Sequence, residues 1–174
     1  MVKIKGKSLV VDLILLLGIF NVYGDSLSAT SVDQLPGIIA DARGKSTVVM
    51  IFSSGCPLSR NLWPKLLELA KKEQNNNVAF PVFSVDKSQD KAVDFVSNYT
   101  TPFSCYWVAP WEPGRLDASM GPIGIRIGQT LRLPLVAVIN PEGQVIAQWQ
   151  GLQDISQVAK ALGSAETSTA PGSN

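Results

Sequence analysis

Apolar residues fall in two different rhythms around residue 56. Before it, Thr47-Val48-Val49-Met50-Ile51-Phe52 is apolar on both faces, which predicts a buried parallel strand. After it, Leu58, Leu62, Trp63, Leu66, Leu67, Leu69 and Ala70 recur at helical spacing. Between them lies Ser53-Ser54-Gly55-Cys56-Pro57, so Cys56 stands where a strand turns into a helix.

The flanking chain alternates the same two rhythms. Ser31 with Gln34 is a capping-box pattern ahead of Leu35, Ile38 and Ile39, a short helix that tolerates Pro36 near its start and ends at Arg43-Gly44. A strand is expected within 78–85, made irregular by Pro81, which cannot donate to a ladder. Ser88 caps a helix whose inner face is Ala92, Val93, Phe95, Val96 and Tyr99, and Pro102 then opens a strand over 103–109 that contains Cys105. The Pro- and Gly-rich stretch 110–122 predicts a surface excursion, and 124–131 a short helix. Segments 134–140 and 144–150 flank Asn140-Pro141-Glu142-Gly143 and predict a β-hairpin. Asp154 and Gln157 cap a last helix bearing Ile155, Val158, Ala159 and Leu162, with Gly163 as its stop.

The two ends differ in character. Residues 1–24 begin with Lys3, Lys5 and Lys7, continue into an apolar run broken by Asp12, and finish Val22-Tyr23-Gly24, the layout of an export signal. The clean stretch 13–20 is far shorter than the roughly 20 residues that span a bilayer. A cleaved signal is the first expectation and an uncleaved membrane anchor the second. No cysteine follows the run, so it is not a lipoprotein signal. Cleavage would leave 12 basic and 13 acidic residues, a net charge of −1. Residues 164–174 are polar and rich in Ser, Thr, Pro and Gly, and predict a disordered tail. The expected organisation is therefore a signal peptide or anchor over 1–24, one folded domain over 25–163 and a tail over 164–174.

Composition mainly removes possibilities. The 174-residue chain is long enough for one domain with a proper core, and its net charge of +1 makes no electrostatic case for nucleic acid. It contains no histidine, which excludes Ser-His-Asp and Cys-His catalysis and any His-ligated metal. Two cysteines cannot make a four-thiolate metal site in one chain. The candidate reactive group, singled out by its place between strand and helix, is Cys56. A helix N-terminus presents unpaired N–H groups and the positive end of the macrodipole, a setting that favours a thiolate. The alternative is that Cys56 is a small buried residue, a common fate of the free thiol.

A strand, the turn Cys56-Pro57-Leu58-Ser59, the basic Arg60 and a helix with Pro64 eight positions after the cysteine resemble the thioredoxin-like superfamily, in its TlpA/redoxin branch. The resemblance covers about 31–163. It implies an α/β fold with a central mixed sheet flanked by helices and an extra helix–strand insertion in the middle. It also makes Leu133-Pro134 a cis-proline site facing the cysteine, where a partner peptide can add as a strand. Pro134 is otherwise simply a proline at a strand start. The resemblance assigns chemistry to Cys56, Ser59 and Pro134, and partner contact to Gly55, Pro57, Leu58 and Leu133. It implies no cofactor and no metal.

The sequence departs from that family in instructive places. Ser59 stands where a resolving cysteine would be, and a hydroxyl cannot attack a mixed disulfide, although it could donate a hydrogen bond to the Cys56 thiolate. Met50 replaces a buried aspartate, and Gly55 a tryptophan. Cys105 is expected two strands from Cys56, about 10 Å away, beyond the roughly 7 Å that a disulfide permits, and so is expected as a packing residue. The implied activity is monothiol disulfide exchange outside the cytoplasm, periplasmic or extracellular, with protein thiols or disulfides as substrates and an external thiol as resolver. One alternative is a redox-inactive module that binds a partner protein at the Pro134 groove or at Trp107 and Trp111. Another is a peroxiredoxin-like peroxidase, which needs Pro and Thr where this chain has Val49 and Ser53. A copper chaperone of the Sco type needs a second cysteine and a histidine at the site. Trp63 and Trp149 fall on apolar faces and are expected in the core.

Overall fold

Among the described residues, seven strands form one mixed sheet: β1 (Ser28–Thr30), β2 (Ser46–Phe52), β3 (Val78–Ala79), β4 (Val82–Ser84), β5 (Cys105–Val108), β6 (Leu135–Ile139) and β7 (Val145–Gln150). The helices are α1 (Leu35–Ala40), α2 (Pro57–Lys72), α3 (Gln89–Val96), α4 (Pro113–Met120) and α5 (Ser156–Ser168). The computed structural model describes residues 27–152 and 154–168. The export segment expected over 1–24 lies outside them, as do residues 169–174 of the expected tail.

The sheet order is β1-β5-β4-β2-β6-β7, with β3 pairing β2. From β1 to β2 the strands are parallel, and β6 and β7 run antiparallel to them. The apolar run becomes the sheet's central strand, and alternate residues serve opposite layers. Val48, Met50 and Phe52 pack with Leu62, Trp63 and Leu66 of α2, Phe95 of α3 and Val158 and Leu162 of α5. Val49 and Ile51 pack with Leu35 and Ile39 of α1 and Leu116 and Met120 of α4. Both layers are closed, as a strand apolar on both faces demands. Trp63 lies at the centre of an aromatic group, with ring centroids 4.7 Å from Phe52 and 5.1 Å from Phe95. Trp149 packs half-buried against the same layer.

Several expectations are met closely. The interruption at Pro81 separates β3 from β4, the hairpin turns at Asn140 to Gly143, and the Ser31 N–H donates to the Gln34 side chain at 3.0 Å. Others are corrected. Segment 110–122 is not an excursion: it contains α4, started by Pro113 and inserted into the core through Leu116 and Met120. Segment 124–131 holds no helix. It is an irregular run that buries Ile125 and Ile127, and the Asp117 carboxylate accepts the Ile127 and Gly128 N–H groups at 2.7 and 2.8 Å. Gly124, at φ +89°, starts that run where a Cβ would lie 3.2 Å from Val145, so only glycine fits without strain. Helix α5 passes through Gly163 and reaches Ser168, into the segment expected as tail. Val93 points outward, not inward, with 41% of its surface exposed. Strand β1 was not legible as an element.

Candidate functional site

Because β2 and β4 are parallel, the loops leaving both open at the same end of the sheet, beyond the carboxyl ends of these strands, and the site is built there. Cys56 is the N-cap of α2, with extended backbone at φ −86° and ψ 118°. Its N–H donates to the Ser53 carbonyl at 3.0 Å, and its own carbonyl accepts the Arg60 N–H at 3.0 Å, the first helical bond. Pro57 occupies the first helical position, where its missing N–H costs nothing. Pro64 leaves α2 continuous.

The thiol is half-buried and faces the neighbouring antiparallel strand. Its sulfur lies 3.5 Å from the Leu133 carbonyl, a contact in which the S–H donates. The Leu133–Pro134 peptide is cis, and Pro134 is buried at the entry to β6. A second cis peptide, Ala109–Pro110, was not anticipated. Among the expected site residues, Cys56 and Leu133 are thus in contact, Gly55 and Pro57 are exposed around the thiol, and Leu58 is half-buried. Arg60 is exposed, its guanidinium 5.8 Å from the centre of the Phe95 ring.

Ser59 departs from its expected role. Its side chain is fully buried, and the hydroxyl has no hydrogen-bond partner, so the expected bond to Cys56 is absent. One turn further on, the Trp63 indole N–H is also buried without a partner. Cys105 is buried at 5% exposure and forms no disulfide with Cys56. Strand β4 separates β5 from β2, and Cys105 is level with Val82 and hence with Met50, six residues before Cys56. The separation therefore has a component along the strands, on the order of 10 Å from Met50 to Ser53, beside the roughly 10 Å across them.

One residue with a central place at the site carried no motif. Asp86, just beyond β4, is 5% exposed. Its carboxylate accepts the Ser53 hydroxyl at 2.7 Å, the Ser54 hydroxyl at 2.9 Å, the Ser54 N–H at 3.0 Å and the Ser84 hydroxyl at 2.8 Å. Burial pushes the carboxyl upward, but the hydrogen bonds from Ser53, Ser54 and Ser84 outweigh it and hold Asp86 below the ordinary carboxylate value. The two tryptophans considered for a partner surface point inward to the same place. The Trp107 indole donates to the Asp86 carbonyl and that of Trp111 to the Val85 carbonyl, each at 2.9 Å. Position alone hinted at Asp86, since ends of parallel strands beside a switch in strand direction collect functional groups. Among the described residues no cluster of carboxylates or thiols could hold a metal.

Taken with the sheet order, this arrangement defines a thioredoxin-like fold. Solved structures that share it include the following three. A thiol:disulfide interchange protein of the thioredoxin family from Chlorobium tepidum is 17% identical, with a TM-score of 0.60 over 72% of this chain and 83% of that one. A DsbF homologue from Corynebacterium diphtheriae is 19% identical, with a TM-score of 0.60 over 72% of this chain and 75% of the other. A secreted Mycobacterium tuberculosis disulfide oxidoreductase, homologous to E. coli DsbE, is 16% identical, with a TM-score of 0.55 over 72% and 85%. Comparison with protein-family models and with curated sequences gives no significant match.

Proposed function

We propose that this protein carries out monothiol disulfide exchange through Cys56, acting outside the cytoplasm after export by its N-terminal segment. The observation that carries the reading is the thiol at the N-cap of α2, half-buried and 3.5 Å from the Leu133 carbonyl beside cis-Pro134. A partner strand laid along that edge would bring its own sulfur to Cys56. The Cys56 thiolate attacks one sulfur of the partner disulfide, a mixed disulfide forms, and the other sulfur leaves as thiolate. An external thiol then attacks the mixed disulfide, bonds to the partner sulfur and releases the Cys56 thiolate. Cys105 cannot perform that second step from its place behind β4.

Ser53 bears on the peroxidase alternative. Its hydroxyl stands where a peroxidase would place threonine, but its proton is committed to Asp86 and its oxygen accepts the Gly55 N–H at 3.3 Å. That hydroxyl is engaged with Asp86 and does not donate toward a peroxide. The redox-inactive module is favoured by one observation, the absence of a Ser59–Cys56 hydrogen bond.

The test is trapping. Full-length protein incubated with disulfide-bearing protein substrates should accumulate adducts that reductant dissolves. Cys56→Ser should remove them all, and Cys105→Ser should leave them. Absence of adducts from the wild type, or their survival in Cys56→Ser, sinks the monothiol reading.

A further inference from the structure

Met50 leaves the floor beneath Cys56 apolar, since it is fully buried and β2 offers no carboxylate. A buried carboxylate bonded to the loop that carries Cys56 comes instead from Asp86, just beyond the neighbouring strand β4. We propose that Asp86 is the positioning residue of this site, holding the 53–56 loop so that the Cys56 sulfur meets a partner at the Leu133–Pro134 edge. The proposal rests on the exchange chemistry assigned above to Cys56.

Asp86 is itself a fixed post. Its N–H donates to the Ser84 hydroxyl at 3.2 Å and its carbonyl is held by Trp107. The Val85 N–H donates to the Phe52 carbonyl at 2.8 Å, and the Val85 carbonyl is held by Trp111. From this post the carboxylate reaches across to Ser53 and Ser54. The Ser53 hydroxyl passes the constraint to the Gly55 N–H, and the Ser53 carbonyl to the Cys56 N–H. The thiol is thus two hydrogen bonds from a buried anion anchored on another strand.

The donor set fits a carboxylate and not its amide. Three hydroxyls and one backbone N–H converge on two oxygens. An amide at this place would turn its own N–H₂ toward at least one donor. A hydroxyl can rotate to accept it, but the Ser54 N–H cannot. A carboxylate here is also costly to bury unless its acceptor sites are used, and three of the four donors that use them sit on the loop that carries the thiol. Misplacement of a reacting atom by about 1 Å can cost on the order of 100-fold in rate, so a loosened loop should show in exchange before it shows in folding.

Two reactions of Cys56 separate positioning from mere structure. Alkylation by iodoacetamide demands little geometry. Exchange with a peptide carrying a mixed disulfide to thionitrobenzoate demands alignment at the Leu133–Pro134 edge. In that exchange the Cys56 sulfur bonds to the peptide sulfur and thionitrobenzoate leaves as a coloured thiolate. In folded full-length Asp86→Asn, exchange should fall between about 10- and 100-fold while alkylation holds within about threefold. Ser53→Ala should slow exchange in the wild-type background and add nothing in the Asp86→Asn background. Exchange at the wild-type rate in folded Asp86→Asn overturns the proposal, and so does an equal fall of both reactions. Should Asp86→Asn not fold, Ser53→Ala and Ser54→Ala take its place, and wild-type exchange in both overturns it. A wild type that alkylates at Cys56 but never exchanges with the peptide overturns the Cys56 reading instead, and the proposal falls with it.

Discussion

Ser53 and Ser59 stand three residues before and three residues after Cys56, and only the first finds a partner. Ser53 joins Ser54 and Ser84 around the Asp86 carboxylate, in a polar knot between two parallel strands. Ser59 points into the layer formed by α2, α3 and α5 and leaves its hydroxyl unsatisfied, as does Trp63 one turn on. One flank of the cysteine has been specified by hydrogen bonds, and the other has been handed to the apolar core. A dithiol site would keep its second sulfur on that second flank. Here that position is fully buried at the start of α2 and carries a hydroxyl in place of a sulfur.

Restoring the sulfur breaks the contrast most strongly. Positions 56 and 59 are i and i+3 at the start of α2, neighbours on one helix face. Ser59→Cys would replace an unsatisfied hydroxyl by a thiol that tolerates an apolar site. Resolution of the mixed disulfide then becomes intramolecular, with effective molarities that can reach about 10⁵ M. Reductase turnover on a protein disulfide should rise by orders of magnitude, and trapped adducts should disappear. If turnover stays at the wild-type level, the second flank is not a vacant resolving site.

Acid tests the other flank. Asp86 is held below the ordinary carboxylate value, so in the unfolded chain, at about 3.9, it takes up its proton first as pH falls. Its contribution to stability is complete above that pH, and is lost as pH drops from the unfolded value through the lower folded one. Urea midpoints followed by tryptophan fluorescence should decline through this window in the wild type. In Asp86→Asn that component of the decline should vanish, and stability at neutral pH should be lower by about 1–3 kcal/mol, the cost of a broken buried polar group. A pH dependence in Asp86→Asn identical to wild type would separate Asp86 from acid sensitivity.

The same contrast explains what could be read from the chain. Strand β2 was legible because six consecutive residues had to be covered on both faces, and the helix after Cys56 because its apolar positions recur every turn. The site was legible where it lay in a local string, Ser53 to Arg60, and at Leu133-Pro134. Asp86 was not, because it is a single carboxylate between Val85 and Lys87 whose partners on the thiol-bearing loop lie 32 and 33 residues away. Helix α4 was hidden by its own boundary marks: Pro113 and Gly121 read as breakers, although they bracket Leu116 and Met120 at i, i+4. In 124–131 the buried residues Ile125 and Ile127 alternate with exposed ones, a spacing that fits extended chain and not the short helix expected there. Gly163 failed to stop α5 because Leu162 and Ala165 on either side are buried, and packing outweighs the roughly 1 kcal/mol that glycine costs in a helix.

The smallest expected effect bears on the hydroxyl alone. Ser59→Ala removes an oxygen that is buried without a partner and leaves the methyl group in the same apolar surroundings. A satisfied buried hydroxyl lost in this way would cost about 1 kcal/mol. An unsatisfied one has already incurred its desolvation penalty in the wild type, and alanine is the better helix former by up to a few tenths of a kcal/mol. Ser59→Ala should therefore be neutral to stabilising by up to about 1 kcal/mol, read as an unchanged or raised urea midpoint. Its adducts through Cys56 should form at the wild-type rate, since no hydrogen bond links the hydroxyl to the sulfur. A loss of stability near 1 kcal/mol would mean that Ser59 has a partner in solution. A slowed adduct rate would make that partner the Cys56 thiolate, and the two flanks of the cysteine would be alike after all.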